Sequence, residues 1–207
     1  MTRRIAALLC CAAALLGLLC GCKKKNATVN IYEDFTPTGT LYCYLNGAVE
    51  LIYDDEGKAL QLSGTNEIGK QLTSACIHML GSKSEELPKA MLSHAIQNNL
   101  LGQTKTMVLR VGSGDPLPYE SMLTDIADQC QQLAAEKGCA IRVFAVNQNM
   151  LTKDDLLGLD IAKQIATVYL GEGEISGDAV PANGVYSFTA NGKSCTVDAF
   201  SGVVTMK

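Results

Sequence analysis

The sequence of 207 residues has no tryptophan, four phenylalanines and two histidines. Neither His78 nor His94 stands at i, i+4 spacing with another ligand type, so the sequence predicts no metal site. It offers no cofactor motif, and we expect no cofactor. The 21 acidic residues outnumber the 17 basic ones, and this balance disfavours nucleic-acid binding.

The chain also lacks any Cys-x-x-Cys pair beyond residue 22, the spacing that a zinc site uses. The cysteines in this part of the chain are Cys43, Cys76, Cys130, Cys139 and Cys195. Because their number is odd, at least one stays unpaired unless it bridges to another chain. Disulfides can form outside the cytoplasm, so the pairing stays open, although most of these positions are typical of small apolar core residues.

Only one long apolar run is present, at 5–20 in the opening segment MTRRIAALLCCAAALLGLLCGC. About sixteen residues fall short of the roughly 20 that cross a membrane, and the arginines before them are typical of a secretory signal. The end of this segment resembles a bacterial lipobox, which implies that Cys22 is diacylated and becomes the new N-terminus. An ordinary signal peptide or an uncleaved anchor is the alternative.

The lipobox resemblance implies a palmitate-bearing lipoprotein on the extracytoplasmic face of the cell membrane. Residues 1–22 are then a signal peptide and are left out of fold reasoning. They contain two arginines and no acid, so 15 basic and 21 acidic residues remain, a net charge of −6. Two acyl chains hold a protein on a bilayer where one is marginal, and the lysines at 23–25 favour anionic headgroups.

Alternating apolar residues predict strands at 26–34, 40–45, 48–54 and 58–64, which we expect to form an antiparallel meander. The next elements expected are a helix from Asn66 to Gly81, a helix with Ser84 as its N-cap, a buried strand at 104–111, a helix at 119–138 and a strand at 139–146.

A last helix is expected at 152–170, followed by a polar linker and a terminal meander from 185 onward. The fold class predicted is α+β: an antiparallel-rich sheet with helices packed on one face, then a small helix-plus-β-meander unit. The domains expected are 23–150 and 151–207.

The stretch from 28 to 150 resembles the extracytoplasmic middle domain of RsgI-type anti-sigma factors. The positions that match that family's motif are Asn46, Val49, Glu50, Leu51, Gly57 and Asn66. The chain shows neither the cytoplasmic sigma-binding segment nor the transmembrane helix of that family, so an anti-sigma role is not carried over.

The stretch from 153 to 207 is similar to the closing part of PepSY domains. The matching positions are Tyr186, Gly192, Val197, Asp198, Ala199, Gly202 and Val204. This resemblance implies inhibition of an extracellular protease as one alternative function.

Asn46-Gly47 is the candidate site of self-cleavage. In the RsgI-type family the corresponding Asn-Pro bond resembles a self-cleaving site, because proline lacks the amide hydrogen and the asparagine amide can attack its own carbonyl. Here a glycine follows, whose unhindered amide can attack the side chain instead and lead to deamidation. The simpler interpretation is a tight turn, since both residues tolerate a positive φ.

No other residues form a convincing catalytic group. The acidic pairs at 54–55, 85–86 and 154–155 fall at a turn and at helix starts, where capping explains them, and Ser113 lacks a partner base. We therefore expect no enzyme. The sequence favours a non-enzymatic lipoprotein that binds a protein partner or an envelope ligand, as a sensory or regulatory accessory, with a self-processing domain as the alternative.

Overall fold

The structure is a computed structural model that describes residues 28–30, 37–112, 118–147, 155–177 and 184–207. Cys22, the signal segment, Ser113 and Asp154 lie outside the described residues, as does the boundary expected near residue 150.

The strands of the described chain are β1 (Thr28–Asn30), β2 (Gly39–Tyr44), β3 (Ala48–Tyr53), β4 (Ala59–Gly64), β5 (Thr106–Val111), β6 (Arg142–Asn147), β7 (Ser176–Gly177), β8 (Val185–Ala190), β9 (Lys193–Asp198) and β10 (Val204–Met206). The α-helices are α1 (Glu67–Cys76), α2 (Glu86–Gln97), α3 (Pro118–Glu136) and α4 (Asp155–Leu170), and a 3-10 turn (Ile77–Met79) follows α1.

The first six strands form one sheet in the order β1-β4-β3-β2-β5-β6. Strands β2, β3 and β4 are the antiparallel meander that the sequence predicts. The expectation that the first strand joins this meander beside β2 is wrong, because β1 pairs with β4 at the far edge. The last pair, β5 and β6, is parallel, and α3 provides the crossover that a parallel pair requires.

One face of this sheet carries α1, α2 and α3, which pack on the alternate side chains of the strands. Leu41, Val49 and Leu109 are among the residues of this core that are almost fully buried. The helix starts follow the sequence closely. Asn66 is the N-cap of α1, and its side-chain oxygen accepts from the Gly69 N–H at 2.7 Å.

The start of α2 differs by one residue from the expectation. Its N-cap is Glu85, without a side-chain capping bond, and not Ser84. The backbone N–H of Ser84 donates to the carbonyl of Gly57 at 2.8 Å, and this bond ties the segment before α2 to the turn between β3 and β4.

The C-terminal part forms a second sheet in the order β10-β9-β8-β7, with α4 packed on β8 and β9. Its core continues into the large sheet, because Val108 of β5 and Val146 of β6 are buried in the same cluster as Ile165 of α4. Strand β5 is therefore covered on both faces, which explains its nearly continuous apolar sequence.

The α+β class is as predicted: an antiparallel-rich sheet with helices on one face, followed by a helix and a small meander. Within the described residues, no helix has both the length and the apolar character needed to cross a membrane.

Candidate functional site

The Asn46-Gly47 pair lies in the three-residue connection between β2 and β3, where Tyr44 pairs with Ala48. Asn46 has a φ of 52°, in the left-handed region, where asparagine is better tolerated than most residues. Its side-chain Nδ2 donates to the carbonyl oxygen of Leu100 at 2.6 Å. The pair is thus a turn, and its asparagine side chain links that turn to the segment after α2.

The sequence explains Gly47 by the tolerance of glycine for a positive φ, but Gly47 does not adopt a positive φ. A Cβ placed on it would lie 2.5 Å from the backbone nitrogen of Gly69 and 2.9 Å from the Ile68 carbonyl carbon. A Cβ on Gly64 of β4 would lie 2.3 Å from the Gly69 carbonyl carbon, and a Cβ on Gly69 would lie 2.3 Å from the Ala48 carbonyl oxygen. Glycine is therefore required because the hairpin touches the first turn of α1.

A cleft of about 1110 Å³ opens beside this turn. Its walls come from four places: the β2–β3 turn with the start of α1, the loop that leads into β5, the loop that leads into β6, and the C-terminal unit. The lining residues are Tyr44, Leu45, Asn46, Gly47, Ala48, Asn66, Leu101, Gly102, Gln103, Thr104, Lys105, Thr106, Cys139, Ala140, Ile141, Tyr169, Lys193, Ser201, Gly202, Val203, Val204, Thr205 and Met206.

The charge of this cleft is opposite to that of the whole chain. Its described lining contains Lys105 and Lys193 and no aspartate or glutamate, while the chain has a formal net charge of −4. No carboxylate of the described residues forms an ion pair with either lysine. The Lys105 ammonium lies 5.7 Å from the centre of the Tyr169 ring, a cation–π contact that brings no negative charge to it.

Tyr169 links the C-terminal unit to the large sheet at the cleft. Its hydroxyl accepts from the backbone N–H of Lys105 at 2.9 Å and lies 3.2 Å from the Thr106 hydroxyl. The residue belongs to α4, whereas its partners stand at the start of β5. The hydrogen bonds therefore fix the C-terminal unit against the large sheet at the edge of the cleft.

All five cysteines of the described chain are free thiols. Cys43, Cys76, Cys130 and Cys195 are buried, as expected of small core residues. Burial raises the pKa of Cys76 from 9.0 to about 11 and that of Cys130 to about 12. It also raises the pKa of Cys43, with the neighbouring Cys130 and Cys76 adding to the effect. These thiols are therefore neutral and unreactive in the folded protein.

Cys139 is the exception, because it is only half-buried and lies in the wall of the cleft. It is the natural place for a chemical label that reports on the cleft.

A second polar group lies on the sheet face opposite α1, α2 and α3. The Arg110 guanidinium stands 4.2 Å from the Tyr42 ring centre and 5.9 Å from that of Phe200, and its Nη2 donates to the Tyr44 hydroxyl at 3.1 Å. Burial raises the pKa of Tyr42, and nearby Glu50 raises it further. Because Arg110 joins strands of the large sheet to the turn after β9, we assign this group a structural role.

Two of the acidic residues considered from the sequence, Asp54 and Asp198, hold turns, whereas Glu85 makes no side-chain capping bond at the start of α2. The Oδ1 of Asp54 accepts from the N–H groups of Glu56 and Lys58, at 3.0 and 2.7 Å. The Oδ1 of Asp198 accepts from the N–H of Phe200 at 2.8 Å, which orders the turn before β10. No group of three His, Cys, Asp or Glu side chains in the described parts of the chain has the arrangement of a metal site.

The sequence singled out Asn46 and Gly47, and both lie in the wall of the cleft. It did not single out Lys105, Lys193 or Tyr169. These residues are far apart along the chain and become neighbours only when the C-terminal unit packs on β5. The signal that could have found them is weak: a run of Thr104, Lys105 and Thr106 at the start of an otherwise apolar strand.

Comparison of the chain with models of protein families gives no match, and comparison with curated protein sequences gives none either.

Proposed function

We propose that this protein is a non-enzymatic lipoprotein that is anchored through Cys22 on the extracytoplasmic face of the cell membrane and binds a partner or envelope ligand in the cleft. The observation that carries the binding role is the cleft itself. It is large, its charge is opposite to that of the chain, and both the large sheet and the C-terminal unit build its walls.

The anchor rests on the sequence of residues 1–25. Each methylene of an acyl chain contributes about 0.8 kcal/mol to membrane partitioning, so two chains on Cys22 give stable attachment where one would not. The lysines at 23–25 follow directly and would sit at the headgroups. The cleft would then face the space outside the membrane.

Metabolic labelling with palmitate tests the anchor. Wild-type protein should incorporate label and remain with the membrane fraction, and Cys22→Ala should do neither. Cys20→Ser is the matched control, since it changes a neighbouring cysteine of the same segment and should still be labelled. Label that persists in Cys22→Ala would show that the anchor is wrong.

Photo-crosslinking in intact cells tests the binding role. A benzoylphenylalanine at Gln103, in the loop that lines the cleft, should give one discrete adduct that mass spectrometry identifies as an envelope component. The control position is Gln132, which is exposed on α3 and outside the cleft lining. The same adduct from both positions, or none from Gln103, would count against the proposal.

The two family resemblances indicate what kind of partner to seek. Similarity of 28–150 to the RsgI-type middle domain supports a role as a sensory or regulatory accessory. The similarity to anti-sigma factors concerns this domain only, and no anti-sigma activity is proposed. Similarity of 153–207 to PepSY domains supports an extracellular protease as the partner. Incubation of the purified protein with proteases of the same envelope tests the latter, because an inhibitor must lower the rate of at least one of them.

A further inference from the structure

We propose that the cleft binds an extended acidic peptide segment of a partner protein, which adds as a strand to the outer edge of β10. This inference rests on the proposed binding function and names the class of ligand and its mode of recognition. Strand addition gives affinity through main-chain hydrogen bonds and selectivity through side-chain contacts.

The backbone of β10 presents the groups that an added strand needs. Among the described strands, β10 pairs only with β9 and forms the edge of its sheet. The Asp198 N–H donates to the Val203 carbonyl, and the Lys207 N–H donates to the Ser194 carbonyl. Along an antiparallel strand, residues whose backbone groups bond to the partner strand alternate with residues whose backbone groups point away from it. The N–H and C=O of Thr205 therefore point toward β9, and those of Val204 and Met206 point away from it.

The side chains along this edge are unusually apolar for a surface. Val203 is 58% exposed and Met206 is 45% exposed, and together they make up two of the three large hydrophobic side chains that stand exposed in the described residues. Both line the cleft. An exposed apolar edge strand is a template for pairing with another chain.

The positive charge of the cleft favours an acidic strand as the ligand. Lys105 and Lys193 stand in a cleft whose described lining has no carboxylate, so glutamate or aspartate side chains of an added strand would meet positive charge. A basic strand would be repelled. A second copy of this protein is a poorer occupant, since its own β10 would bring another Lys193 and Lys207 to the same place.

The size of the cleft also suits an extended segment. Pockets for small molecules usually have volumes of about 300 to 1,000 Å³. At about 1110 Å³ this cleft lies close to the upper end of that range, and its lining runs from the β2–β3 turn past the loop before β5 to β10.

Fluorescence anisotropy with three labelled peptides tests the proposal on the purified mature protein. The first peptide alternates valine and glutamate over eight residues. The second replaces the glutamates with lysines. The third keeps the glutamates but carries N-methyl groups at alternate positions on its hydrogen-bonding edge. We expect the first to bind at least about tenfold more tightly than either of the others, since charge and main-chain donors are both required.

Protein variants separate the two contributions. Met206→Pro removes one outward N–H without disturbing the bonds to β9, and proline is tolerated on edge strands. It should weaken binding of the acidic peptide by about fivefold, the effect of one net hydrogen bond. Met206→Ala is the matched control because it retains the N–H. The pair Lys105→Gln and Lys193→Gln should abolish the preference for glutamate, whereas Lys163→Gln, a charge change on the exposed side of α4, should not.

Equal binding of the acidic peptide and its N-methylated form would overturn strand addition, because the cleft would then recognise charge alone, as for an anionic polymer. Concentration-dependent dimerisation that depends on Met206 would assign the edge to a second copy and also overturn the proposal. If the Gln103 adduct forms in cells and no peptide binds, the binding function stands and this inference fails.

Discussion

Asn46 offers the sharpest test of the turn against self-processing. The two substitutions to compare are Asn46→Gly and Asn46→Ala. Both remove the hydrogen bond from Nδ2 to the Leu100 carbonyl, which is 2.6 Å long. Only alanine also conflicts with the φ of 52°, because glycine adopts a left-handed conformation without steric cost.

The expected magnitudes follow from these two contributions. Loss of one hydrogen bond costs about 1 kcal/mol in the free energy of unfolding. An alanine held in the left-handed region costs about 1 kcal/mol more. Asn46→Gly should therefore lose about 1 kcal/mol and Asn46→Ala about 2 kcal/mol, which corresponds to about 3 and 6 °C in Tm for a chain of this size.

Urea unfolding with the signal segment removed measures the stabilities, and intact mass under denaturing conditions measures chain integrity. Asn191→Ala is the matched control in the C-terminal unit: Asn191 has the same φ of 52°, and its Nδ2 donates to the carbonyl of Leu170 at 3.0 Å. It should lose a similar amount of stability.

Two results would refute this reasoning. Equal stability of the alanine and glycine variants would show that the left-handed conformation contributes nothing. Two fragments from fresh wild-type protein, with a break after residue 46 that Asn46→Ala abolishes, would show that the asparagine attacks its own carbonyl. We expect one intact chain, since the hydrogen bond holds the attacking nitrogen on Leu100.

Three further outcomes are expected. Tyr169→Phe should cost about 1 to 2 kcal/mol in urea unfolding, because it leaves the N–H at the start of β5 without its acceptor; an unchanged midpoint would show that water replaces the hydroxyl. At pH 7 a maleimide should label Cys139 first and Cys130 only in urea, as read by peptide mass mapping; early labelling of Cys130 would contradict its burial. The pKa values of Cys76 and Cys130 are raised because burial in the folded state favours the neutral thiols. The stability that these thiols contribute is therefore complete below pH 9 and is lost as pH rises toward 11 to 12. Cys130→Ala should make the fall of the urea midpoint at alkaline pH less steep.

The elements of the fold were predictable where one local signal was strong. Strand β5 shows this well: its run of apolar residues predicts burial on both faces, and the structure covers one face with helices and the other with the C-terminal unit. In the terminal meander, Asn191 and Gly192 both adopt a positive φ, which is typical of this dipeptide in a hairpin turn.

The same local reasoning was wrong where tertiary contacts decide. The sequence of residues 28–30 carries no signal that β1 pairs with β4 and not with β2. The sequence correctly placed Gly47 in the turn, but it explained the glycine by its tolerance of a positive φ. The structure shows that glycine is required because the backbone of α1 approaches it closely. A sequence pattern reports the backbone conformation of a residue more readily than it reports what approaches that residue from elsewhere.

The construction of the cleft has a consequence for stability. Its walls combine the β2–β3 turn and the β5 loop with the edge of β10, so a ligand bound as proposed would contact both the large sheet and the C-terminal unit. Such a ligand binds only when the two are packed together, and by linkage it must stabilise that packing by an amount that grows with its concentration. The Tyr169 hydroxyl already fixes this junction at the rim of the cleft. Weakening it with Tyr169→Phe should therefore lower ligand affinity even though the phenyl ring still fills the same space, because part of the binding free energy would be used to restore the docked arrangement.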